Sequence, residues 1–170
     1  MWKLDDIVTY GSAGICRICE IRNEKFCGED KQYYILKPLF DDKTTLFVPS
    51  FNENLMKKIR PVLTYDEAME LIRTIPDISP VWEDNDRMRQ EKYRDILESG
   101  VREDILSMLK ALYDRRNFLV SKGKKLRSSD EIFMRSGEKL IENECAHVLG
   151  MELSAVKEFI LNQISLIESV

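Results

Sequence analysis

In the first third of the chain, apolar residues alternate with polar ones in short runs broken by glycines and paired aspartates; after Trp82 they recur every three or four positions. The first pattern predicts strands and the second helices. Ile7-Val8-Thr9-Tyr10 opens as a strand, and Gly11-Ser12-Ala13-Gly14 supplies the glycines of a tight reversal. Residues 15–21 resume extended structure, Cys27-Gly28-Glu29-Asp30 reads as a hairpin turn, and residues 32–36 are rich in aromatic and branched side chains. Asp41-Asp42-Lys43 makes another turn before a strand over 44–48, which Pro49 ends, and a fifth strand is expected at 59–62. Strands of this length and spacing predict a small, curled antiparallel barrel of the Tudor or SH3 kind.

Thr64-Tyr65-Asp66-Glu67 has the spacing of a capping box, and Met69, Ile72 and Ile75 give the helix behind it an apolar face. Pro76 and Pro80 stop that helix, while Asp84 or Asn85 can cap the next. The second helix carries Met88, Ile96 and Leu97 and closes at Ser99-Gly100. The third carries Val101, Ile105, Met108, Leu109 and Leu112 and runs towards Phe118. Ser128-Ser129-Asp130-Glu131 predicts a capping box for a fourth helix bearing Phe133, Gly137, Leu140, Ile141 and Val148, which Gly150 terminates. Ser154 is expected to cap a last helix with Val156, Phe159, Ile160 and Ile167. The fold class is therefore α+β: a β-barrel over residues 1–62, then an all-α domain over 63–170.

Composition narrows the chemistry. The formal charge of -4 and pI near 5.2 exclude a protein that coats nucleic acid by bulk charge, so any DNA contact must come from a local patch. The start of the chain, with Asp5 and Asp6 where a secretory segment would be apolar, predicts a cytoplasmic protein, and no apolar run is long enough to cross a membrane. Cys16-Arg17-Ile18-Cys19 has metal-pair spacing but falls in a strand, where residues three apart face opposite sides, so the cysteines are expected to be free thiols. There is no phosphate-binding glycine loop, and His147 stands without a neighbouring catalytic motif. No catalytic residue, metal or cofactor is expected.

What remains is a basic strip beside a tryptophan. Arg115, Arg116, Lys122, Lys124, Lys125 and Arg127 cluster around one helix end and the linker after it, and Arg87 and Arg89 follow Trp82. Such cations also suit a helix C-terminus. Beside an exposed aromatic, they are equally the combination used to wedge an apolar side chain into the minor groove.

The order of Asp6-Ile-Val-Thr-Tyr-Gly-Ser-Ala-Gly-Ile, Tyr33-Tyr-Ile-Leu-Lys, Phe47-Val-Pro, Ile59-Arg-Pro, Trp82, Leu97-Glu-Ser-Gly and Lys125-Leu-Arg-Ser-Ser-Asp-Glu resembles the CarD/CdnL family of bacterial transcription regulators. The resemblance implies a Tudor-like domain docking on the RNA polymerase β subunit and a helical domain contacting promoter DNA at the upstream edge of the bubble. There Trp82 would wedge into the minor groove and prolong the open complex, with Arg87, Arg89 and the basic strip on phosphate. Polymerase contact is expected through the strand edge and last strands, at Leu46, Phe47, Val48 and Pro49, with Arg22 or Lys37 supplying charge. Phe47 stands where many members have an arginine, which makes that contact more apolar, and Trp82 is followed by acids rather than bases. The other expectation is an adaptor whose barrel docks on polymerase or another partner and whose helices leave DNA untouched.

Overall fold

The computed structural model describes residues 1–169, which divide into two compact units, Met1–Val62 and the chain from Leu63 onwards. The first holds five antiparallel strands: β1 (Ile7–Tyr10), β2 (Gly14–Phe26), β3 (Glu29–Pro38), β4 (Leu46–Pro49) and β5 (Ile59–Pro61). Gly11 and Gly14, at φ 44° and 70°, take the left-handed backbone that turns β1 into β2, as do Cys27 and Gly28 at the tip of the β2–β3 hairpin.

The sheet order is β4-β3-β2-β1-β5, and the sheet does not close into the expected barrel. The two strands that would have to meet are short, at four and three residues. Both end in prolines, Pro49 and Pro61, which have no N–H to offer a further ladder. One face carries the core of Val8, Cys16, Ile18, Tyr34, Leu36, Val48 and Ile59, with Leu55 and Met56 packed against it. The latter two come from a one-turn helix, α1 (Glu53–Met56), capped by Asn52. Cys16 is buried in this core and Cys19 exposed.

The second unit is helical: α2 (Tyr65–Thr74), α3 (Asp86–Ser99), α4 (Arg102–Ser121), α5 (Ser128–Leu149) and α6 (Leu153–Glu168). The Thr64 capping box is present in full, with Glu67 N–H donating to the Thr64 hydroxyl and Thr64 N–H donating to the Glu67 carboxylate. Asn85 caps α3 through Met88 N–H, and Gly100 and Gly150 end α3 and α5 in the left-handed conformation. The second expected capping box does not form. Helix α5 starts at Ser128 itself, Arg127 takes the cap position without a side-chain bond, and Glu131 pairs with Arg135 at 3.7 Å. Nor does Ser154 cap α6, which begins at Leu153 with Glu152 at its N-cap, two residues before the expected cap.

The helical core is built on α4, whose Ile105, Met108, Leu109 and Leu112 pack with Tyr93, Leu97, Met134, Ile141, Cys145 and Val156. Gly137 allows α5 to approach α4 closely, since a Cβ there would lie 2.8 Å from Met108 Cε and 3.1 Å from Leu109 Cδ2. At the start of the unit, the buried Glu144 carboxylate accepts from Leu63 N–H at 3.1 Å and from both Nε and Nη2 of Arg102 at 2.7 and 2.6 Å. A paired charge tolerates such burial; a lone one would not.

Candidate functional site

The buried stripe of α3 runs through Arg89, Tyr93 and Leu97, so a charged residue takes the position an apolar side chain would ordinarily hold, and Met88 lies outward, 57% exposed. Arg89 is 2% exposed. Its Nε and Nη2 donate to the two oxygens of Asp130 at 3.0 and 2.9 Å, Nη2 also to Asp86 at 2.8 Å, and Nη1 to the Glu83 carbonyl at 2.9 Å. Burial works against the charged guanidinium, and the carboxylates of Asp130 and Asp86 outweigh it, leaving Arg89 held protonated. Arg89 was expected among the DNA-facing cations. Buried and fully bonded, it is a structural centre instead.

Trp82 lies against this centre. The Arg89 guanidinium is 4.4 Å and that of Arg115 5.4 Å from the indole centroid, both within cation–π range. The indole N–H donates to Asp84 at 2.9 Å, and the ring packs half-buried on the helical core. The strand of chain leading to it is pinned as well: Tyr93 donates its hydroxyl to the Val81 carbonyl at 2.8 Å, and Val81 N–H donates to Ser107 O at 3.3 Å. All three acids of the run after Trp82 thus have assigned partners, Glu83 on Asn85 N–H, Asp84 on the indole and Asp86 between Arg89 and Arg127.

Around the indole opens a polar cleft of about 360 Å³. Arg115, Lys124, Lys125 and Arg127 line it with Trp82, and with Arg89 counted the cations outnumber the carboxylates of Asp84, Asp86 and Asp130 by five to three. Lys122 is exposed beside Phe118, with Nζ 5.9 Å from that ring. The other expected cations do not line the cleft. Arg87 is exposed and paired with Glu91 at 3.3 Å, while Arg116 lies over Tyr113, 4.8 Å from its ring, in a different cavity.

The sheet offers a second surface. Strand alternation and the pairings of Ile35 with Phe47 and Tyr33 with Pro49 put these four residues on the face opposite the core. Lys31 sits between Phe26 and Phe51, with Nζ 5.3 and 4.9 Å from their centroids, and Phe51 meets Tyr33 edge to face at 5.7 Å. Phe26, Phe47 and Phe51 are all more than half exposed. Of the residues expected to touch polymerase, Val48 is fully buried and Leu46 packs on the core, because alternation turns both inward when Phe47 points out. Lys37 is exposed. Arg22 donates to Glu20 at 2.8 and 2.9 Å, which holds the Glu20 carboxyl low, and to Glu24 at 3.4 Å.

An open five-stranded module with an aromatic outer face, free of any catalytic constellation in its described residues, defines a docking domain. Residues 2–63 match the model of the CarD-like/TRCF RID domain, a domain that interacts with RNA polymerase. The chain is thus a transcription-related protein with an RNA polymerase-interacting N-terminal unit. No curated protein matches the chain. Among the described residues no helix is long and apolar enough to cross a membrane.

Proposed function

We propose that this protein is a non-enzymatic transcription regulator of the CarD type. It bridges the RNA polymerase β subunit and promoter DNA and stabilises the open complex, working in the cytoplasm at the nucleoid. The observation that carries this reading is the family match of residues 2–63. The first unit would dock through the exposed edge of β4 and the outer face beside it, with Phe47 and Pro49 as apolar contacts and Lys37 and Arg22 as charges. Adding a strand at a free edge supplies main-chain hydrogen bonds, and the outer-face side chains supply selectivity.

The helical unit would meet DNA at the cleft. Arg115, Lys122, Lys124, Lys125 and Arg127 are the candidates for phosphate, where each neutralised phosphate steepens the salt dependence. Trp82 is the candidate wedge at the upstream edge of the bubble. Filling the gap of an unstacked base step offsets a cost of about a few kcal/mol. For the indole to enter a groove, Asp84 must release its N–H, and the acids of the run must turn from phosphate.

A pulldown of the full chain with the β subunit, repeated with and without promoter DNA, tests this reading. Retention on β alone, strengthened by promoter DNA in a salt-dependent way, is the expected result. Retention that promoter DNA leaves unchanged would replace the bridge with an adaptor, and no retention on β would remove the reading altogether.

A further inference from the structure

The backbone on either side of Trp82 is fixed. Before it, Val81 N–H donates to the Ser107 carbonyl at 3.3 Å, and the Val81 carbonyl accepts from the Tyr93 hydroxyl at 2.8 Å. After it, the Glu83 carbonyl accepts from Arg89 Nη1 at 2.9 Å, and the Glu83 carboxylate accepts from Asn85 N–H at 3.0 Å, beside the cap of α3. With both neighbours tied to the helices, the freedom left to the indole is rotation about its own two side-chain torsions. Trp82 can therefore leave the cleft as a side chain, without movement of the chain that carries it.

Besides packing on the core, the indole meets Arg89, Arg115 and Asp84, and the three contacts are unlike. Arg89, 4.4 Å from the ring centroid, is buried and locked by its bonds to Asp130, Asp86 and Glu83, so it is a fixed support. Arg115 is exposed, lies 5.4 Å from the indole and equally far from the Phe118 ring, and has no carboxylate partner among the described residues. Asp84 makes the directional contact, accepting the indole N–H at 2.9 Å. Its carboxylate is exposed and has no other hydrogen-bond or ion-pair partner among the described residues. It caps no helix, since Asn85 does that. The one task the structure gives this carboxylate is to hold the ring.

We propose that Asp84 is a latch on Trp82: its bond to the indole N–H keeps the ring parked in the cleft, and breaking that bond frees the ring to turn outward. The use of the freed ring rests on the reading of Trp82 as a DNA wedge. Asp84 acts through Trp82 and is a positioning residue. While the latch is closed only a fraction of molecules presents the ring, and apparent affinity for the opened duplex falls by that fraction. A phosphate that draws Arg115 away from the indole removes a second restraint, so engagement of the cleft and release of the ring favour one another.

Two measurements on the full chain test the latch. In a Trp2→Phe background, where Trp82 is the one tryptophan left, acrylamide quenching of its fluorescence reads ring exposure with no partner present. Asp84→Ala should raise the quenching constant above that of the parent. With polymerase and promoter DNA, Asp84→Ala should raise apparent affinity about three- to tenfold, the margin of one net hydrogen bond. Removing a negative charge near phosphate would also raise affinity, and Trp82→Phe separates the two causes because phenylalanine has no N–H to hold. In that background most of the gain from Asp84→Ala should vanish. Unchanged quenching, or an equal gain in both backgrounds, would overturn the latch. Raised quenching with no gain on the promoter complex would keep the latch and overturn the wedge reading instead.

Discussion

On the outer face of the sheet, Lys31 lies between the rings of Phe26 and Phe51 with both rings in solvent. In the helical unit Arg89 lies over Trp82 with only 2% of its surface exposed. The pairing is the same in kind, yet its surroundings differ. The sheet cation stays partly in water, with 27% of its side chain exposed, and is worth little to stability, whereas the buried one has given up its hydration and depends on Asp130, Asp86 and the Glu83 carbonyl for compensation. Aromatic residues on the sheet are therefore free for a partner, while Trp82 is woven into the support of its own fold. A wedge role for Trp82 has to be drawn from a residue that already has a structural task.

Substitutions can break that contrast. The largest effect is expected for Asp130→Ala, which leaves the buried guanidinium half uncompensated and should cost about 3–5 kcal/mol in urea unfolding. Adding Arg89→Met should recover most of the loss, and a double variant no more stable than Asp130→Ala would show that the site needs the charge itself. Trp82→Ala removes a half-buried ring and should cost about 2 kcal/mol, below the range for a fully buried tryptophan; an unchanged melting temperature would free Trp82 from its structural task. Thr64→Ala deletes one arm of the capping box and should cost about 1 kcal/mol. Smallest of all, Phe47→Ala should alter stability by no more than about 0.5 kcal/mol while weakening retention on the β subunit. A strong loss of stability there would make the outer face part of the core.

Much of the architecture was legible in the sequence because local rules govern it. Hairpin glycines, the Thr64 box, Asn85 as a cap and Gly150 as a stop are decided within four or five residues. Closure of the sheet was not legible, since it depends on whether two distant strands are long enough to pair. The second capping box failed because the helix starts at Ser128 itself, so that Arg127 rather than a serine takes the cap, and Glu131 pairs with Arg135 instead. Reading α3 by its apolar residues selected Met88 with Ile96 and Leu97 and missed Arg89 and Tyr93, which complete the buried stripe with Leu97 and are recognisable only if an arginine is admitted to a core position four residues before a tyrosine. In the candidate site, the clustering of Lys124, Lys125 and Arg127 was visible in advance, because all three share one linker. The inward turn of Leu46 and Val48 follows from strand alternation once Phe47 is placed outward.

The bridge itself is tested most directly by the lifetime of open promoter complexes after challenge with a competitor, measured with polymerase alone, with the full chain, and with the Lys124→Ala/Lys125→Ala variant. A longer lifetime is expected with the full chain, about tenfold if some 1.4 kcal/mol is added to the closing barrier. The variant should still bind polymerase but lose most of that gain, with a salt slope flatter by about one unit per lost phosphate contact. A chain that binds polymerase yet leaves the lifetime unchanged at low salt would contradict the bridge.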